Sequence, residues 1–252
     1  MAFSVRTLLR PLVLLLAGLL LTSRLAHGQA PAPGYAELSR LTVGRGSVIL
    51  YADARLSPAL RDSLWEETSP CLLDADHPLR RFCQTNLDTL RPAVVLWAPA
   101  SGAPAAPVQL TKALAKIELT KLNGLVAPTI FVTEADQPDF GTYRGPVTRL
   151  LLLPQHGPTR WASVRELGKD ATSRELHLVD AGKTQWTVDG GEIRVIQCQP
   201  RAVGDSVVFD LTLRRLRPLN TGDWEQVSET REGFWEADMG MPEARAFPDW
   251  PS

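Results

Sequence analysis

The chain is poor in the residues that most often carry chemistry. Its 252 residues include four histidines and three cysteines. It has no phosphate loop, no His-Glu-x-x-His helix and no Gly-x-Ser-x-Gly elbow, so the nucleotide, zinc-protease and nucleophile-elbow readings lose their sequence basis. Gly44-Arg45-Gly46 lacks the third glycine of a dinucleotide fingerprint and precedes a strand-like run instead of following one. Lys and Arg (27) nearly balance Asp and Glu (28), so no basic excess points to nucleic acid. No glycosylation sequon occurs. No apolar run reaches the ~20 residues that a membrane-spanning helix needs.

The run that comes nearest is Leu12 to Leu21, LVLLLAGLLL. Arg6 and Arg10 precede it, and Ala26-His27-Gly28 follows with small residues where a signal peptidase reads. Basic start, short apolar core and small-residue exit together predict a signal peptide over 1–28, with Gln29 as the new N-terminus. Its removal takes Arg6, Arg10 and Arg24 and moves the net charge from -1 to -4. The expected destination is the periplasm or the secreted fraction, with no membrane span after cleavage. An oxidising compartment favours closure of one cysteine pair. Cys71 and Cys83 are the expected disulfide, leaving Cys198 as a buried thiol. That pairing competes with zinc binding by Cys71, His77 and Cys83 with Cys198 from elsewhere in the chain, and neither a metal nor a cofactor is expected.

Residues 29–34 are a Pro/Ala leader. The segment 35–97 reads β-α-α-β. SVILY (Ser47–Tyr51) and AVVLW (Ala93–Trp97) are short strands, and Ser57-Pro58 and Asp76-His77-Pro78 open two helices by capping logic. Residues 98–107, APASGAPAAP, are an Ala/Pro linker or loop. The stretch 108–122 leans to a helix through Leu110, Leu114 and Ile117, although Ile117-Glu118-Leu119 also alternates like a strand. Within 108–235, four runs (Glu175–Val179, Thr184–Val188, Glu192–Cys198, Ser206–Arg214) are separated by turn residues and predict an antiparallel meander. The expected class is therefore α+β, a small β-α-α-β part followed by an antiparallel β-meander sheet. From Asp223 onward acidic residues outnumber basic ones eight to two. This segment also carries five aromatic side chains, so it should pack at its start and loosen over the last ten residues. The tail 236–252 is a possible docking element for a protein partner.

Gly204-Asp205-Ser206 resembles the opening of GDSL-type esterases. No histidine follows His177, so the late Asp-x-x-His of that family is missing, and a hairpin turn accounts for the glycine and aspartate. Asp136, Asp139 and His156 are the remaining candidates for a catalytic site, in and after a Pro-containing loop. Trp161 and Trp186 are candidates for stacking on a ligand. Arg214, Arg215 and Arg217 form the densest basic cluster and read as a solvated strand end. The leading expectation is an exported bacterial protein acting as a non-catalytic periplasmic or secreted binding or envelope-associated module. The alternative is a secreted hydrolase with a site assembled from scattered Asp and His residues.

Overall fold

The computed structural model describes residues 30–66, 73–86, 89–120, 122, 129–135, 145–153, 158–168 and 172–251. They form three sheets, mostly antiparallel, with two α-helices among the described residues. The molecule is mostly β, more so than the expected α+β class.

The first sheet runs β1 (Tyr35–Val43), β2 (Gly46–Asp53), β3 (Val94–Pro99), β4 (Val108–Gln109), each antiparallel to its neighbour. The chain leaves it after β2 to form α1 (Pro58–Glu66) and α2 (Pro78–Asn86). The Ser57 hydroxyl accepts the Leu60 amide at 3.2 Å, the N-cap bond that the sequence announces. Leu64 and Cys83 point from these helices into the core. The order is thus β-β-α-α-β, with one strand more than expected. β1 escaped sequence reading because it is an edge strand, largely exposed, and a bulge between Glu37 and Ser39 breaks its alternation. A buried carboxylate closes the helical excursion. Asp53 accepts from Arg55 Nη2 at 2.7 Å and from the Arg91 amide at 3.2 Å, while Arg55 also reaches the Thr89 carbonyl at 2.7 Å.

Residues 108–120 are not a helix. They form β4, a short crossing and β5 (Ala115–Thr120). Leu110, Leu114 and Ile117 do share one core, as helical spacing would have them do, but strand pairing brings them there. The Leu110 amide donates to Ala93, and Ile117 lies opposite Val132. Tertiary pairing overrides a local helical pattern that is weak in a stretch this short. The Ala/Pro stretch 98–107 connects β3 to its antiparallel partner β4, and the Ala105 amide returns to the Trp97 carbonyl at 2.9 Å.

The middle sheet has the order β11 (His177–Val179), β7 (Val147–Leu152), β6 (Thr129–Glu134), β5, with β8 (Arg160–Trp161) also pairing β7. It is buried on both faces. Ile130, Val132 and Leu151 join the core shared with the first sheet and the helices; Phe131 and Leu150 join the core shared with the third sheet. Continuous apolar runs such as IFV and LLL are what a doubly covered strand requires.

The third sheet has the order β10 (Arg174–Glu175), β9 (Ser163–Glu166), β15 (Trp224–Glu232), β14 (Ser206–Pro218), β13 (Glu192–Val203), β12 (Thr184–Asp189). β12 to β15 form the antiparallel meander, and β15 pairs β9 in parallel. Asp189 pairs with Glu192 across Gly190 and Gly191, both at positive φ, so this tight turn needs its two glycines. The run 175–179 does not belong to the meander. It divides between sheets, Glu175 in the third and His177–Val179 in the middle one, with Leu176 buried between them.

The C-terminal segment covers the outer face of the third sheet. Trp235 and Phe247 are buried against Ile196, Cys198, Leu211 and Leu213. The expected loosening of the last ten residues is not seen among those described. Trp250 Nε1 donates to Glu192 at 2.8 Å, and the Arg217 guanidinium lies 4.2 Å from its ring. The aromatics that set this acidic tail apart in the sequence are the side chains that anchor it.

Candidate functional site

Asp136, Asp139, His156 and Cys71 lie outside the described residues. Cys83 and Cys198 are buried in different cores and are not joined to each other. Trp161 and Trp186 fall at two separate polar constellations, on opposite faces of the middle sheet.

The first constellation is built on Arg149. Residue 134 lies opposite 147, and 132 opposite 149, so strand alternation sets Glu134 and Arg149 on one face beside Val132. Both are buried. Glu134 accepts the Thr111 amide at 2.6 Å, the Thr111 hydroxyl at 2.8 Å, the Lys112 amide at 2.9 Å and one Arg149 nitrogen. Arg149 Nη1 donates to Glu175 at 3.0 Å, and the guanidinium carbon stands 4.0 Å from the centre of the Trp161 ring. His177 Nε2 meets the same Glu175 oxygen at 2.9 Å. Burial alone would raise the Glu175 carboxyl; hydrogen bonds from His177 and Arg149 outweigh it and hold the group below its ordinary range. One arginine thus joins β6, β7, β8 and β10, with both terminal nitrogens and both carboxylates engaged internally. The arrangement is a clamp, and Trp161 presents at least one ring face to Arg149.

The second constellation lies on the inner face of the third sheet. Register sets Trp186 opposite Val195, Val195 opposite Arg214 and Arg214 opposite Ser228. This cross-strand row marks the margin of the core. On one side Ile193, Leu216 and Trp224 are fully buried; on the other the hydroxyls of Thr212 and Thr230 meet at 3.0 Å in an exposed position. Trp186 packs edge to face on Phe131, 5.6 Å between ring centres. Four buried polar atoms of this face have no hydrogen-bond partner: Trp186 Nε1, Arg214 Nε, Trp224 Nε1 and Gln226 Oε1. Gln226 is 3 % exposed and Trp224 1 %. Burial lowers the pKa of Arg214, and the charge of Arg174 lowers it further; Glu166 acts the other way. Glu166 gives one oxygen to Ser228, at 2.5 Å, and the other to Gln226.

The opposite face of the same strands is charge-matched. Arg215 pairs with Glu192 at 2.5 Å, Arg217 with Glu225 at 2.6 Å, and Arg194 with Asp189. Two of these pairs border a cleft of about 280 Å³ at the Asp189–Glu192 turn. Leaving a buried donor or acceptor without a partner costs about 1–3 kcal/mol. The unpartnered inner face is therefore the unusual one. Sequence reasoning missed Arg214 as a separate group because its neighbours 215 and 217 masked it. Alternation alone would have placed it on the other face.

Among the described residues, no three His, Cys, Asp or Glu side chains are grouped so as to hold a metal ion, and no helix is long and apolar enough to cross a membrane. No family model, curated protein or solved structure matches the chain.

Proposed function

We propose that this chain is an exported, non-catalytic binding module that takes a small ligand at the margin between its middle and third sheets. The observation that carries this reading is the set of four unpartnered buried polar atoms on the inner face of the third sheet. Such groups need partners, and a ligand entering from the solvent side of the Trp186–Arg214 row supplies them. The Arg149 network favours binding over catalysis, because its acid–base groups are tied to one another. The leader over 1–28 supports export.

Intact mass spectrometry of the exported protein, under native and denaturing conditions, tests it. The denatured chain should begin at Gln29. The native protein should carry added mass that denaturation releases, and Gln226→Leu should reduce it. A chain that retains Met1 would overturn export. A native mass equal to the denatured one, with no small molecule bound on titration, would overturn the binding role.

A further inference from the structure

Arg214 is a half-buried arginine that makes no ion pair or hydrogen bond from its side chain among the described residues, while Arg215 and Arg217 on the same strand are each paired. We infer that Arg214 receives the oxyanion head of a small carboxylate or phosphate ligand whose apolar part lies toward Trp186, with Arg174 on the same sheet face adding positive charge. This rests on the binding reading above and adds the chemical class of the ligand. A guanidinium presents five donors in a planar fork that matches a carboxylate or phosphate. Its Nε–H is buried and lacks an acceptor. Arg174 lies opposite Val164, on the sheet face that also carries Arg214, and its charge reaches Arg214. Glu166 offsets the charge of Arg174 at Arg214 only in part, and the guanidinium's pKa stays below its ordinary value. Glu166 is the carboxylate of this face, and Ser228 and Gln226 occupy its oxygens. Trp186 stands two strand spacings from Arg214, about 10 Å. Between them Val195 is 1 % exposed and belongs to the core, so the row from Arg214 to Trp186 is apolar at its centre. The indole Nε1–H, also without a partner, can meet an acceptor farther along the ligand.

The test is calorimetric titration and thermal melting of the exported protein with octanoate, inorganic phosphate and the neutral octan-1-ol. Octanoate or phosphate should bind saturably and raise the melting temperature, and octan-1-ol should do neither. Binding of phosphate without octanoate would identify a small inorganic anion; the reverse would identify an acyl carboxylate. Arg214→Met should weaken anion binding by about tenfold or more, the loss expected for one charge-assisted contact. The same variant should melt above the wild type without ligand, because it removes a desolvated cation. Arg174→Ala changes an exposed side chain and should weaken binding without altering the fold. The inference falls if neither anion saturates, if octan-1-ol binds as well as octanoate, or if Arg174→Ala and Arg214→Met both bind like the wild type. If a neutral molecule is released on denaturation and no anion binds, the binding module stands and the anion site does not.

Discussion

Arg149 and Arg214 lie in adjacent sheets, and each stands at the edge of an apolar core. Arg149 is matched by two carboxylates and an indole. Arg214 has Glu166 near it, but the hydrogen bonds of Glu166 go elsewhere. Removing one member of a buried pair leaves the other desolvated, which costs ~3–5 kcal/mol. Arg149→Ala should therefore lower the urea-unfolding free energy by about that amount. A loss under about 1 kcal/mol would class the clamp with solvent-exposed pairs. Neither arginine's role was legible in the sequence. The chain shows which residues share a face, by alternation, but not which face another segment will cover. For β14, alternation separates Val207, Phe209, Leu211 and Leu213 from Val208, Asp210, Thr212 and Arg214. The second set reads as wet; Val208, Asp210 and Thr212 are half-buried, and two residues past Arg214 Leu216 is buried.

At the level of elements, one carboxylate ties the middle sheet to the third. Asp223, in the turn between β14 and β15, accepts Arg160 of β8 at 2.6 and 2.8 Å and the Ser163 amide and hydroxyl of β9, both at 2.9 Å. Burial acts to raise its pKa; the bonds from Arg160 and Ser163 win and hold it at about 2. An unfolded aspartate titrates near ~3.9. The fold therefore favours the ionised form, and the resulting stability is complete above about pH 4 and is lost as pH falls toward 2. Unfolding midpoints measured between those values should fall more steeply for the wild type than for Asp223→Asn. Parallel curves would mean that the tie contributes nothing to acid sensitivity. Asp53, held still lower by Arg55, remains in both proteins and cancels in the comparison. Elements of this kind were partly readable. The capped helices, the Asp-Gly-Gly turn and the meander follow from local chemistry. β1, the split of 174–179 and the strands in 108–120 depend on partners distant in sequence, and local pattern is silent or misleading there.

For the whole molecule, the third core depends on a strap that arrives last. Phe247 is 4 % exposed and covers the face that holds Cys198. Truncating a buried phenylalanine costs ~3–5 kcal/mol. Phe247→Ala should cost about that much and should speed the reaction of Cys198 with a thiol reagent; unchanged labelling would place the cover elsewhere. Composition announced this strap through aromatics in an acidic tail, but not where it would dock. The parallel pairing of β9 with β15 adds a constraint in time. Val164 pairs with Trp224, 60 residues later, whereas each meander strand closes on its neighbour through a short turn. Closing the longer loop costs roughly 2–3 kcal/mol more in chain entropy than closing a hairpin. β9 finds β10 within about ten residues, but its other edge must wait for β15. Until then the inner faces of β9 and the middle sheet are uncovered, so the growing chain has its greatest need of a holding chaperone after residue 166 and before residue 224.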